Sequence, residues 1–185
     1  MATIITNFYT VDNQVGANLN TPQTINTTTN PEVPAPNDTL GDICQGINGS
    51  QWLFVQASTT VTAFNVVMID NLFKANNVNF SDLSGSSTFS LSKTLGLAEF
   101  QTSVANAGDY FWAQLAGRGG SAVNVLSTAA ANAQLYISSS SPGSLTTTVA
   151  SSVSNVAVFN AAIPSSLTGA TAAVELVFAY MRASA

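Results

Sequence analysis

From residue 40 onward the apolar positions come in short runs, broken by Asn-Gly, single Gly and Pro-Gly. Short apolar runs with such breaks read as strands and turns. GDICQGINGSQWLFVQAS holds two apolar segments around Asn48-Gly49, a hairpin dipeptide. Gln51 to Ala57 (QWLFVQA) reads as a strand buried on both faces. TTVTAFNVVMID is again rich in β-branched residues, and Asp70-Asn71 marks a turn after it. Leu72 and Phe73 then begin a further short strand. Residues 75 to 93 are Ser- and Asn-rich, punctuated by Phe80, Leu83 and Phe89, and read as a long surface loop.

Leu95 to Gln101 predicts a strand, with a turn through Ala107-Gly108-Asp109. Tyr110 to Leu115 alternates: Tyr110, Trp112 and Gln114 on one face, Phe111, Ala113 and Leu115 on the other. Apolar groups on both faces place that strand inside a barrel or sandwich. AGRGG reads as a turn that ends it, with glycine supplying positive φ. Val123 to Leu126, Gln134 to Ile137 and Val153 to Phe159 predict strands, and Pro142-Gly143 a turn. Alanine lets one short helix compete in SAVNVLSTAAANAQL. TAAVELVFAYMRASA closes the chain as a strand, with Val174, Leu176, Phe178 and Tyr180 opposed to Glu175, Val177 and Ala179. The sum is an all-β fold, a small barrel or sandwich of about eight to ten short strands with at most one short helix.

Residues 1–39 differ. TPQTINTTTNPEVPAPNDT is rich in Thr, Asn and Pro, with four prolines from Pro22 to Pro36. Proline lacks an amide donor and fixes φ, so it disfavours helix and central strand and favours an extended course. Yet Ile4, Ile5, Phe8, Tyr9, Val11, Val15 and Leu19 are apolar. The expected division is an extended arm over 1–39 and a β-rich core over 40–185. Either the arm is a disordered tail, or it orders against a neighbouring subunit and adds binding area there. In the second case Ile4, Ile5, Phe8, Tyr9 and Val11 are its partner-binding residues.

Composition sharpens this. Charged residues are 7% of the 185, against about 25% in ordinary soluble proteins. The surface is therefore mostly neutral and polar, and it suits close packing against other protein. Net charge is −5, and Lys74, Lys93, Arg118 and Arg182 are scattered. That argues against a nucleic-acid-binding face and against a polybasic membrane patch. No stretch approaches about 20 apolar residues, so no membrane-spanning helix is expected. MATIITNFYTVDNQ has neither a basic region nor a long apolar run, so a cleaved leader is not expected and synthesis in a cytoplasm is.

Candidate chemistry is sparse. The chain has no His, which removes the commonest general base and every Ser-His-Asp triad. Cys44 is the single cysteine and reads as a small buried apolar residue. Asp38 and Asp42 are the closest carboxylates, in a linker-to-strand junction, and no calcium-loop or zinc spacing occurs. No metal or cofactor is expected. In AGRGG two glycines after Arg118 could form an anion-binding nest, but a turn with Arg118 facing solvent or an interface is the plainer reading, and in the second case Arg118 joins the partner-binding residues. Tyr110, Phe111 and Trp112 are core or interface residues, or else a carbohydrate-stacking platform.

The order of segments resembles that of capsid decoration (cement) proteins of tailed phages. The likeness lies in LGDICQGINGSQWLFVQASTTVTAFNVVMID, LGLAEFQTSVANAGDYFWAQLAGRG, SAVNVLSTAAANAQLYISSSSPGSL and AAVELVFAYMRA, spanning roughly residues 40 to 183. The arm and the polar stretch near 76–93 depart from the short N-termini and tighter loops of that family. The resemblance implies a virion protein without enzymatic activity. It would be made in the host cytoplasm and bind the outer head surface as a homotrimer, bridging major capsid protein subunits. A head fibre or other virion appendage, and a carbohydrate-binding module built on exposed aromatics, are the alternatives.

Overall fold

The computed structural model describes residues 19, 21–24, 38–46, 49–79, 94–100, 104–126, 135–147, 158–159, 161–162 and 171–176. Of these, 118–122, 158–159, 161–162 and 171–176 are described by their backbone. The strands among them are β1 (Ile43–Gln45), β2 (Gln51–Ala57), β3 (Val61–Thr62), β4 (Val66–Ile69), β5 (Lys74–Asn77), β6 (Thr94–Leu97) and β7 (Val104–Ala105). They continue with β8 (Tyr110–Asn124), β9 (Leu135–Ile137), β10 (Leu145–Thr146), β11 (Val158–Phe159), β12 (Ala161–Ala162) and β13 (Thr171–Leu176). No α-helix occurs among the described residues. Ser121 to Asn124 is strand, and residues 127–134, the Ala-rich part of the stretch where a helix could compete, lie outside the described residues.

Five strands close on themselves. The ladder runs β2-β5-β4-β6-β8, and β8 returns to β2. Every pairing in the ring is antiparallel except β2 with β5, which run parallel through Gln56↔Lys74 and Ala57↔Ala75. Closure removes the free edges of these strands. The interior is narrow and filled by small and branched side chains: Val55, Ala57, Val67, Ile69, Ala75, Ala98, Ala113, with Phe100 and Phe111 edge to face at 5.4 Å. Gly96 leaves little room for a side chain; a Cβ there would lie 3.2 Å from Ile69 and 3.3 Å from Ala113. The two-stranded β3–β7 sheet adds Val61 and Ala105 to the same core.

The expected hairpin forms. β1 pairs with β2 (Cys44↔Trp52), and Gly49 turns between them at φ 71°. The Asp70 turn also forms, but it reaches further than expected. Asp70 Oδ1 accepts from the backbone N–H of Leu72 (2.8 Å) and of Lys74 (2.9 Å). Phe73, at φ 58°, lies within the turn, so Leu72 and Phe73 do not begin the strand. It begins at Lys74, and Lys74–Asn77 is barrel strand rather than loop. Only Ala75 of these four is buried.

β8 does not stop at AGRGG. It runs for 15 residues through it. Opposite β2 the register slips, from Trp52↔Gln114 to Gln51↔Ala116, so Leu115 bulges. Gly117 follows at φ 153°, tight against Ser50 and the Gln114 side chain; a Cβ would lie 2.5 Å from Gln114 Nε2. The glycine therefore bends the strand instead of ending it. Beyond the bend β8 pairs with β13 from Gly117↔Leu176 to Asn124↔Thr171, and β12 pairs outside β13. One long strand thus belongs first to the barrel and then to a second ladder.

A separate sheet, β10-β9-β11, packs beside the barrel, and Asn65 ties it on. Asn65 Nδ2 donates to Asn77 Oδ1 (3.2 Å) and to the Pro142 carbonyl (3.2 Å). Its Oδ1 accepts from Asn124 Nδ2 (2.7 Å), which also donates to the Ala63 carbonyl (2.9 Å). The Pro142-Gly143 turn forms as expected, with Gly143 at φ 78° and its backbone against the Asn65 side chain. Val66 N–H donates to Gly143 O (2.7 Å), and Gly143 N–H to Val78 O (2.8 Å). Buried amides joined in this way fix one arrangement of the corner.

Candidate functional site

β2 and β8 carry apolar side chains on both faces, so the barrel has a second apolar surface outside it. Trp52, Phe54, Tyr110 and Trp112 form it, with Cys44 from β1. Phe54 stacks on Tyr110 (5.7 Å, 12°) and lies 5.1 Å from Trp112. Leu19 completes this cluster and is only 3% exposed. Four residues on, Gln23 makes a reciprocal antiparallel bridge to Tyr110: Gln23 N to Tyr110 O at 2.7 Å, Tyr110 N to Gln23 O at 2.8 Å. Part of the arm is therefore docked on the chain's own barrel, at the start of β8. Leu19 belongs to the core of this chain. A branched apolar residue just ahead of TPQT was the available signal in the sequence.

Burial decides the fate of the aromatic platform. Trp52 is fully buried and Trp112 is 1% exposed, so neither offers an open face to a sugar ring. The reading of Tyr110 and Trp112 as an exposed stacking surface is corrected on that ground. Phe111 and Trp112 are core residues, one facing into the barrel and one outward. Trp112 Nε1 has no hydrogen-bond partner, which leaves a buried donor inside the outer cluster. Such a donor costs about 1–3 kcal/mol.

Several other polar groups serve turns or tie strands together. Asp42 Oδ2 accepts from Thr39 N–H (2.7 Å). Burial, and then the neighbouring Asp42, push the Asp38 carboxyl above its ordinary value. Asp109 Oδ2 accepts from Asn106 N–H (2.8 Å) and closes the turn ahead of β8. Lys74 Nζ donates to Gln56 Oε1, and Gln56 Nε2 donates to the Gly108 carbonyl (2.9 Å). Cys44 is fully buried within the outer cluster, as expected of a structural thiol. No group of three His, Cys, Asp or Glu able to hold a metal ion occurs among the described residues. Nor is any helix there long and apolar enough to cross a membrane.

Of the partner-binding candidates, Ile4, Ile5, Phe8, Tyr9 and Val11 lie outside the described residues. Arg118 lies in β8, one residue past the Gly117 bend. Its backbone continues a strand and forms no nest-like turn. Sequence reasoning did not single out a further feature, the edge strand β1. It has β2 on one side and ends the main sheet. Ile43 on it is 52% exposed, and Leu72, in the turn beside it, is 66% exposed. Comparison with family models, with curated proteins and with solved structures finds no match to this chain.

Proposed function

We propose that the chain is a phage capsid decoration protein: a structural virion component that binds the outer head surface and bridges major capsid protein subunits. In this reading it acts by binding alone, without cofactor or catalysis. The observation that carries it is an arm anchored to a closed barrel. Leu19 and Gln23 fix the root of the arm on the body. A rigid barrel with a rooted arm is a bridging device. The low charge of the chain suits close lattice packing, and the segment order supplies the link to phage heads.

Bridging stabilises a shell by linkage. A protein that binds assembled subunits but not separated ones raises the free energy of disassembly. Several modest contacts on one body add through effective concentration. The test is to mix the purified protein with phage heads lacking decoration and sediment them. Saturable uptake to a fixed copy number, with heads that then resist heat or chelator better, is the expected result. Absence of uptake by intact expanded heads would overturn the reading.

A further inference from the structure

We propose that β1 is an acceptor edge for the arm of a second copy of this chain: residues 3–11 of one copy add as a strand to Ile43–Gln45 of the next. The register of the hairpin shows which groups face away from β2; of these, the Gln45 carbonyl accepts from Cys44 Sγ at 3.8 Å. Phe54 N–H donates to Asp42 O (2.9 Å) and Gly46 N–H to Ser50 O (2.8 Å), with Cys44 opposite Trp52 between them. Residues 42, 44 and 46 therefore turn their backbone toward β2. By the alternation of an antiparallel ladder, the N–H and C=O of Ile43 and Gln45 point away from it.

Natural edges are usually blunted by Lys, Pro or a bulge. β1 reads Ile-Cys-Gln and carries no Lys or Pro; it is three residues long, and Gly41 and Asp42, both bonded to Phe54, form a bulge just ahead of it. The same edge continues past β1. Gly41 N–H donates to Phe54 O, Gln56 N–H donates to Phe73 O, and a Cβ at Gly41 would lie 2.6 Å from the Phe73 ring. The Asp70–Lys74 turn thus stands end to end with β1 along one side of β2. That places the exposed side chains of Ile43 and Leu72 on either side of one junction.

The occupant follows from the chain outside the described residues. Eighteen residues precede Leu19. Leu19 shares its cluster with Cys44 of β1, so the arm leaves from beside the acceptor strand. Extended, eighteen residues reach about 60 Å, enough to cross to a neighbour. Residues 3–11 read TIITNFYTV, uncharged and dominated by β-branched and aromatic residues. Strand addition gives affinity through main-chain bonds and selectivity through alternate side chains. Donor and acceptor surfaces differ, so the contact is head to tail, and it closes as a ring where the rotation between copies allows.

The test needs no phage head, so its outcome is separate from that of the decoration reading. Mass in solution is measured by light scattering across concentration, for the full chain, a chain lacking residues 1–18, and the Gln45→Pro variant. Proline at 45 removes only an outward donor and leaves the hairpin bonds intact. Ile43→Lys serves as the second edge variant should the proline lower the melting temperature. The expected result is an assembly of several 19.1 kDa chains whose dissociation constant rises at least tenfold with either edge variant and with the truncation. A monomer at all concentrations overturns the proposal. So does an assembly indifferent to both edge variants. An assembly lost with the edge variants but kept by the truncation also overturns it, since β1 would then pair with β1.

Discussion

Leu19→Ala should release the root of the arm without unfolding the barrel. Leu19 is 3% exposed in a cluster with Trp52, Phe54 and Trp112. Truncating such a leucine costs about 3 kcal/mol, or about a hundredfold in an equilibrium constant. Segment 21–24 is held otherwise by the two Gln23–Tyr110 bonds, each contributing about 1 kcal/mol net. Opening also lets water reach Trp112 Nε1, which lacks a partner in the closed state. The local unit is therefore the weak point, and the loss falls there. Amide hydrogen exchange reads this residue by residue. Tyr110 N–H, bonded to Gln23 O, should exchange about a hundredfold faster or reach the unprotected limit. Phe111 N–H should not, because its backbone faces Val55 within the barrel, two residues along from the Ala57 N–H to Asp109 O bond. Equal acceleration at both amides would show that the segment does not open separately. No change at Tyr110 would show that Leu19 does not hold it.

Other substitutions probe the corner and the junction. Gly143→Ala places a Cβ 2.6 Å from Asn65 Nδ2 at φ 78°, and should cost about 2 kcal/mol or more and lower the melting temperature by about 5 °C; an unchanged melting temperature would refute the packing described. Asn65→Asp replaces the amide that donates to Asn77 Oδ1 and Pro142 O with an acceptor, and should cost about 2–4 kcal/mol in urea unfolding. Tolerance within about 0.5 kcal/mol would show that the network is not needed. Asp38→Asn bears on pH. Folding raises the Asp38 pKa, so the wild type is relatively most stable below the ordinary value of 3.8 and loses that share as pH rises through the raised one. The variant should gain about a few tenths of a kcal/mol at pH 7, small because the site is largely solvated, and nothing near pH 3; a gain that persists in acid would assign the effect to something other than ionisation.

The local features were legible where one residue type sets the backbone. Gly49, Gly108 and Pro142-Gly143 all mark turns, and Gln51–Ala57 is a strand over the whole stretch read as one. What stayed hidden depends on neighbours. Lys74–Asn77 has no apolar alternation, because a narrow barrel asks of it only one small inward residue, Ala75. Gly117 reads as a stop, yet it relieves crowding against Ser50 and Gln114 at a bulge that exists only because β2 is alongside. Leu19 looked like an arm residue because its partners lie far along the chain, at Cys44, Trp52 and Trp112. The acceptor edge of β1 was invisible for the same reason. Which side of a strand lacks a partner is a property of the sheet, and three residues of Ile-Cys-Gln do not encode it.

The length of β8 bears on how the molecule carries force. Its first half lies along β2 and its second half along β13, with the Gly117 bend between. A pull on β13 along that axis is handed to the barrel through one continuous backbone. There it loads the rungs between β2 and β8 side by side, in shear, so they must give together. A pull on β1 acts on the end of a hairpin of three residue pairs, which unzips one rung after another. The same molecule is thus stiff when tugged from its C-terminal ladder and compliant at its outer edge strand. If the protein acts as the proposed decoration protein, a shell under internal pressure would be restrained most firmly by a grip on the former.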